Sequence, residues 1–311
     1  MTQAEAKERS GSMQPLAQGP DLALERDDAL VEATRNRIWR RFWSQKLAYI
    51  GAAFVLFLIL FSFVGPVVWR QNPLAQNILL TNAPPSWQHP LGTDGLGRDY
   101  LSRVMYGGQT SLEVGFAAAF ISMVIGTLYG TVSALAGGVV DSFMMRVVDV
   151  LLSIPGLFLL LFLDATFQPS AFLLVGILAV LSWFGVSRLV RAEVLSLKQR
   201  EFIEAQRASG AGTWRLIAKG LFPNFLGIVL VAGTFGVADA ILTLASLSFL
   251  GLGLPPPAPN WGGLLSDASN YMFVNAWWII YPPGLCILMA ELGVNFTGDA
   301  LRVAFDSRVR T

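Results

Sequence analysis

Residues Leu197–Asn224 read LKQREFIEAQRASGAGTWRLIAKGLFPN, a polar segment that leads from one charge-free run, Ala165–Ser187, into another, Leu221–Ala238. About 20 apolar residues in a helix span the ~30 Å hydrocarbon layer of a bilayer, so the segment connects two membrane crossings. Two short helical pieces are expected in it. The first runs over about Arg200–Ser209 and stops at Gly210, with Gly210 and Gly212 supplying the positive φ of a tight break. Thr213 is placed to cap a second piece, Trp214–Lys219. Pro223 suits the first turn of the next crossing, where its missing N–H leaves nothing unpaired. The pattern predicts a helix–turn–helix lying crosswise under the membrane.

The rest of the chain has the same character. Of its 311 residues 54 % are hydrophobic and only 14 % charged, against about 25 % charged in ordinary soluble domains. Val114–Val140 and Ala268–Ala290 are likewise free of charge. The expected fold is an all-α polytopic membrane protein with six transmembrane helices, at about Leu47–Trp69, Ser111–Leu135, Ser142–Leu163, Ser170–Val190, Asn224–Leu247 and Ala276–Phe296. The chain divides into a polar N-terminal segment, 1–46, a first helix, 47–69, an outer loop, 70–110, a five-helix core, 111–296, with the connector 197–223, and a tail, 297–311. Met1–Lys46 lacks the short apolar core and small-residue cleavage site of a signal peptide, so the first crossing is expected to stay as an uncleaved anchor. The formal net charge of +1 gives no reason to expect nucleic-acid binding. The single cysteine, Cys286, lies in an apolar run and reads as a small core residue.

Basic residues orient the crossings. Lys and Arg number eight before the first crossing, seven over Arg188–Lys219 and three after the last, against three over Arg70–Thr110 and none over Gly251–Asn275. An even number of crossings puts all the basic segments on one face, which is expected to be cytoplasmic, with both termini inside. The loops 70–110 and 251–275 then face outward, and Trp87, Trp261, Trp277 and Trp278 fit an interfacial aromatic belt. Gly126 and Gly130 form a small-xxx-small pair suited to close helix packing.

The connector resembles the EAA loop of ABC importer permeases, whose pattern is Glu-Ala-Ala, three residues, Gly, nine residues, then Ile-x-Leu-Pro. Here Glu204, Ala205, Gln206, Gly210, Gly220, Leu221, Phe222 and Pro223 keep that spacing, while Gln206, Gly220 and Phe222 depart in residue type. In that family the loop is the coupling helix that seats in a groove of the ATPase subunit. The resemblance implies that small Ala205 allows close seating and that Glu204 and Arg207 make charged rim contacts, with the turn at Gly210 and Gly212 and Pro223 completing the loop. His89–Leu112 (HPLGTDGLGRDYLSRVMYGGQTSL), Gly137–Pro155, Leu247–Leu254 with Pro255–Pro257 and Trp261–Gly263, and Asn295–Arg302 are similar to segments of the C-type permeases of dipeptide, oligopeptide and nickel importers. The resemblance runs from about Leu47 to Arg308. Leu244 stands where many relatives carry Glu, Val303 where they often carry Asp and Ser307 where they often carry Pro.

That resemblance implies a type I ABC importer permease fold in a bacterial inner membrane, and a transmembrane subunit rather than an enzyme. The implied partners are a second homologous permease, two ATPase subunits holding ATP and Mg2+, an extracytoplasmic solute-binding protein and membrane lipid. The chain itself has no G-x-x-x-x-G-K-[ST] phosphate loop and needs no cofactor of its own. The outer loop is expected to meet the binding protein, with His89, Asp94, Arg98 and Asp99 as contact residues. A lone histidine, His89, without a cluster of further ligands does not make a metal site. Asp239 and Glu291 lie in expected crossings, where carboxylates usually face a bundle interior or an aqueous path. Asp239 is assigned to the translocation path or to pairing with a partner subunit, and Glu291 to the cytoplasmic interface. Peptide is the leading substrate, with nickel, opine or sugar carried by the same machinery as alternatives. A secondary transporter is a further alternative, but it would not need the Glu204–Pro223 loop.

Overall fold

A computed structural model describes residues 36–167, 170–255, 257–271 and 276–305. The expectations attached to 1–35, Pro256 and Ser307 lie outside the described residues. The described chain is helical: α1 (36–44), α2 (Lys46–Val68), α3 (Tyr100–Ala136), α4 (Gly138–Ser153), α5 (Gly156–Thr166), α6 (Ala171–Lys198), α7 (Glu201–Ala208), α8 (Thr213–Phe249), α9 (Trp261–Ser269) and α10 (Trp277–Phe305). Five of these, α2, α3, α6, α8 and α10, are long and apolar enough to cross a membrane.

The direction of each rod follows from what its small residues touch. Ser122 donates to the Ala179 carbonyl (3.0 Å). A Cβ on Gly126 would meet the Trp183 carbonyl, and one on Gly130 the Ser187 carbonyl. Residue numbers rise together along this seam, so α3 and α6 run parallel. Against α8 they oppose: Gly115 lies on Ile241 and Gly233 on Met123. Gly298 meets Phe235 and Gly227 meets Phe305, so α10 opposes α8, while Gly51 meets Gly293 and Thr297, so α2 opposes α10. At Gly51, Gly126 and Gly130 the missing side chain lets backbones approach, and at Gly115, Gly227, Gly233 and Gly298 it makes room for a neighbouring side chain; both are ways in which apolar helices gain dispersion contacts where lipid removes the hydrophobic drive.

Two parallel crossings need a return between them, and α4 with α5 supplies it. Asp141 at the start of α4 is bonded to Ser133 and Arg191 at one end of the bundle. Leu163 in α5 packs on the cluster of Leu174, Ile177 and Leu178 towards the other. The expected single helix Ser142–Leu163 is thus two shorter helices, broken where Ile154 takes extended backbone (φ −83°, ψ 122°). Pro155 causes this: its ring disfavours α-helical backbone in the residue before it, and it donates no N–H.

Other boundaries shift. α3 starts at Tyr100, eleven residues before the expected crossing at Ser111, because Asp99 caps it and Tyr100, Val104 and Met105 find buried places. Trp261 departs from the aromatic-belt reading. It is fully buried, its indole N–H donates to the Val104 carbonyl (3.0 Å), and its backbone N–H donates to Ser111 Oγ (3.2 Å). Trp87 is fully exposed and Trp277 half exposed. Cys286 is buried in the largest core cluster with Ile279, Ala290 and Val294. Leu244 is fully buried among Val114, Ala118, Leu178 and Leu247, an apolar site in which a carboxylate would have no partner.

α2 starts, α3 and α6 end, α8 starts and α10 ends at one end of the bundle. Phe42 and Ala48 pack there on Ala300 and Ala304. The basic residues of the connector, of α1 and of Arg302 therefore share that end.

Candidate functional site

The connector builds its predicted turn at this basic end. α7 begins with Glu201 and Glu204 in its first turn and Arg207 in its last, each sign placed where the helix dipole favours it. It ends in a Schellman arrangement: the Gly210 N–H donates to Arg207 O (2.9 Å) and the Ala211 N–H to Gln206 O (3.1 Å). Gly210 takes φ +78°, the left-handed region that glycine enters without a side-chain clash. Gly212 does not share this role. It is extended (φ −66°, ψ 157°) and is itself the residue that opens α8, so Thr213 lies inside the helix rather than capping it.

The second piece does not stop at Lys219. Thr213–Arg215 passes through a π-helical stretch, Leu216–Leu221, straight into Phe222–Phe249. The Phe222 N–H reaches back to Ile217 O, which widens the turn ahead of Pro223, the second residue of the long α-helical part. A wide turn absorbs the ring clash and the missing donor of a proline. The connector is thus mechanically continuous with the long apolar part of α8.

One side chain anchors α7. Ile203 is its only buried residue, and it sits with Val190, Val194, Leu197, Leu216, Leu221 and Phe225 in a core shared by α6 and α8. Glu204, Ala205, Arg207, Gly210 and Gly212 are exposed, as is Trp214. Sequence reading missed Ile203. The sequence offers two large apolar residues there, Phe202 and Ile203, and only Ile203 is buried. The two departures Gln206 and Gly220 turn out to face each other: a Cβ on Gly220 would lie 2.6 Å from Gln206 Oε1 and 2.9 Å from Ile203 Cδ1. A longer side chain at 206 occupies the room that glycine leaves at 220.

Beside the connector, α4 is tied to α6 by two ion pairs. Arg191 grips both oxygens of Asp141 (2.6 Å each) and Arg188 meets Asp149. Lys198 donates to the Ala134 carbonyl (2.8 Å) at the end of α3.

His89, Asp94, Arg98 and Asp99 gather at the opposite end, with their functional atoms turned inward. Asp94 accepts from the Leu96 and Arg98 backbone N–H groups (2.9 and 3.0 Å), from Arg98 Nε (2.7 Å) and from Arg103 Nη1. Burial alone would raise its carboxyl; the Arg98 N–H, the Arg103 guanidinium and the Leu96 N–H outweigh burial and hold it below its ordinary 3.8. Asp99 accepts from the Ser102 N–H and hydroxyl (2.9 and 2.7 Å) and the Trp69 indole (2.9 Å), and its other oxygen lies 2.8 Å from His89 Nδ1. Arg103, also missed in the sequence, links this loop towards Asp267 of α9 (3.9 Å). Asp94, Arg98, Arg103, Asp267 and Tyr271 line a cleft of about 190 Å3 there. The exposed surface of the loop is carried by Ile78, Leu79 and Trp87 instead.

Asp239 lies between the two ends, seventeen residues or about 25 Å along α8 from Phe222. It is exposed on a face shared with Leu242 and Ser246 and has no ion-pair partner among the described residues. Glu291 does not reach the interface expected for it. It is half-buried midway along α10 and accepts from Asn295 Nδ2 (2.9 Å), and its second oxygen is buried without a partner.

The chain matches known proteins along most of its length. Residues 122–311 match the family described as binding-protein-dependent transport system inner membrane component, and residues 35–85 match the N-terminal TM domain of oligopeptide transport permease C. The chain is 38 % identical over 272 residues to the dipeptide transport system permease protein DppC of Bacillus subtilis, covering 88 % of this chain and 85 % of that protein. It is 37 % identical to the oligopeptide transport system permease protein OppC of the same organism (87 % and 88 % covered) and 39 % identical to OppC of Haemophilus influenzae (87 % and 88 % covered). A solved inward-facing structure of the MetNI methionine ABC transporter aligns with a TM-score of 0.54 over 65 % of this chain and 96 % of that one, at 21 % identity, and so shares the fold. With its EAA-type connector, its C-type segments and these matches along most of its length, the chain belongs to the binding-protein-dependent transport system inner membrane component family, as a C-type permease subunit of ABC importers rather than a catalytic enzyme.

Proposed function

We propose that this chain pairs with a second, homologous permease to form the path of an ATP-driven importer for di- and oligopeptides. Its basic end, with both termini, faces the cytoplasm of a bacterial inner membrane. ATP and Mg2+ are held by two ATPase subunits, and a solute-binding protein delivers the peptide to the opposite end. The observation that supports this is the exposed, glycine-closed α7 turn, which leads without a break into the α8 rod. A partner that moves α7 moves α8, and α8 carries Asp239 at mid-membrane. In this reading Ala205 and the Gly210–Gly212 turn seat in the ATPase, Glu204 and Arg207 meet its rim, and Asp239 faces the path or the second permease. The inward-turned carboxylates Asp94 and Asp99 shape the outer surface, and the exposed Ile78, Leu79 and Trp87 offer the contact area.

The test is uptake of a labelled dipeptide by cells in which the wild-type chain, Glu204→Arg or Asp239→Asn replaces the native copy, with affinity capture of the wild-type and Glu204→Arg chains. Wild type should take up peptide and bring ATPase subunits with it. Glu204→Arg should lose uptake and captured ATPase together. Unchanged peptide uptake when the chain is deleted would overturn the peptide assignment, and unchanged uptake with Asp239→Asn would remove Asp239 from the path.

A further inference from the structure

We propose that α1 and the first turn of α2 form a docking strip for anionic phospholipid headgroups, at the leaflet touched by the basic end of the bundle. α1 turns off from α2 at Gln45, whose backbone is extended (φ −86°, ψ 125°). One side of α1 is held by the bundle: Phe42 is buried against Ala48, Ala300 and Ala304. The adjoining side is aromatic, and its rings pack edge-on against Phe42 while keeping an exposed outer face. Trp39 and Trp43, four residues apart and so on one face, are exposed with their rings stacked at 6.5 Å. Tyr49 of α2, also exposed, continues the strip with its ring 5.0 Å from Trp43. The strip is continuous with the exposed apolar flank of the first crossing, at Ile50, Leu56 and Phe57, which places it at membrane level.

The charge pattern selects the occupant. Arg37, Arg40 and Lys46 are exposed, form no ion pair among the described residues, and have no acidic residue near them between 36 and 46. An aqueous surface does not call for stacked, exposed indoles. Indoles at the acyl boundary flanked by guanidinium and ammonium groups at headgroup depth are the arrangement of an interfacial helix. Unneutralised cations there attract anionic rather than zwitterionic lipid, by about fivefold in relative affinity for each basic residue near the surface. The lipid strip belongs to the membrane seat of the chain and does not depend on which solute is carried.

The full chain should be reconstituted in phosphatidylcholine vesicles containing equal fractions of brominated phosphatidylglycerol or brominated phosphatidylcholine. Quenching of Trp39 and Trp43 is read as the difference from a Trp39→Phe/Trp43→Phe variant. The brominated phosphatidylglycerol should quench this component several-fold more strongly, with the preference shrinking in high salt. Arg37→Gln/Arg40→Gln/Lys46→Gln, at exposed sites that leave the fold intact, should remove a preference on the order of 100-fold in relative affinity. Equal quenching by the two lipids, no quenching of this component by either, or an unchanged preference in the triple variant would each overturn the proposal.

Discussion

At the end of the bundle opposite the connector, Asp94 alone takes four hydrogen bonds from Leu96, Arg98 and Arg103, and Asp99 ties Trp69, His89 and Ser102 together. At the basic end, α7 is held by Ile203 and a glycine turn, with every charged residue of the helix in solvent. The loop 70–110 encloses Asp94 and Asp99 and bonds them internally, so it fixes one shape and rides with α3 and α9. The connector leaves its charges in solvent and its turn, closed by its own backbone bonds, exposed. Its one apolar anchor, Ile203, packs against both α6 and α8. The same residue types, Asp, Glu, Arg and Gly, are structural in one loop and available in the other because burial differs, not because chemistry does.

The sharpest way to break the comparison is Asp94→Ala. It strands the buried Arg103 guanidinium and should cost about 4 kcal/mol, seen as a large drop in thermal stability of the solubilised chain, whereas Glu204→Gln should leave stability within about 0.5 kcal/mol. Acid should act in the same direction. Because Asp94 is held below 3.8 in the fold, its contribution is intact above that value and is lost as pH falls through the lower, folded one. Equal sensitivity of the two variants would erase the distinction between the ends.

Next is Ile203→Ala, which removes the only apolar anchor of α7 at about 3 kcal/mol. Hydrogen exchange should rise over 201–208 and stay unchanged over 77–99. Protection of α7 that survived would mean another contact holds it.

A smaller effect is expected at the facing pair. Gly220→Ala should lose about 1 kcal/mol against Gln206 and Ile203, and Gln206→Ala should relieve part of it, a coupling within the range of contacting residues. Additive losses in the double variant would show that the two departures from the family pattern are unrelated.

The smallest test separates two glycines. Gly210→Ala forces a side chain into φ +78° and should cost about 1 kcal/mol. Gly212→Ala, at ordinary φ with open space around it, should cost nothing measurable in a melting curve.

Much of this was legible along the chain. The charge-free runs placed the long crossings to within a turn or two at most ends, because burial in lipid is a property of a contiguous stretch. Gly210 and Pro223 were read correctly because each answers to its own backbone. Gly212 was not: two glycines near a break look alike until one of them supplies the left-handed residue and the other need not. The third crossing hid a break at Pro155 because apolar composition carried the reading across it. Trp261 looked interfacial, and its partner Val104 stands 157 positions away. The inward turn of Asp94 and Asp99, the facing of Gln206 and Gly220 and the anchoring by Ile203 share that cause.

What the sequence by itself determined is therefore the membrane class, the runs that cross, the shared end of the basic segments and the position of the connector. All four are sums over neighbouring residues, whose transfer energies and charges act without knowledge of the rest of the chain. Only the tertiary structure decided which charges are enclosed, which tryptophan is core and where the third crossing breaks. A side chain's burial is set by distant residues brought against it, as Trp261 is by Val104 and Ser111.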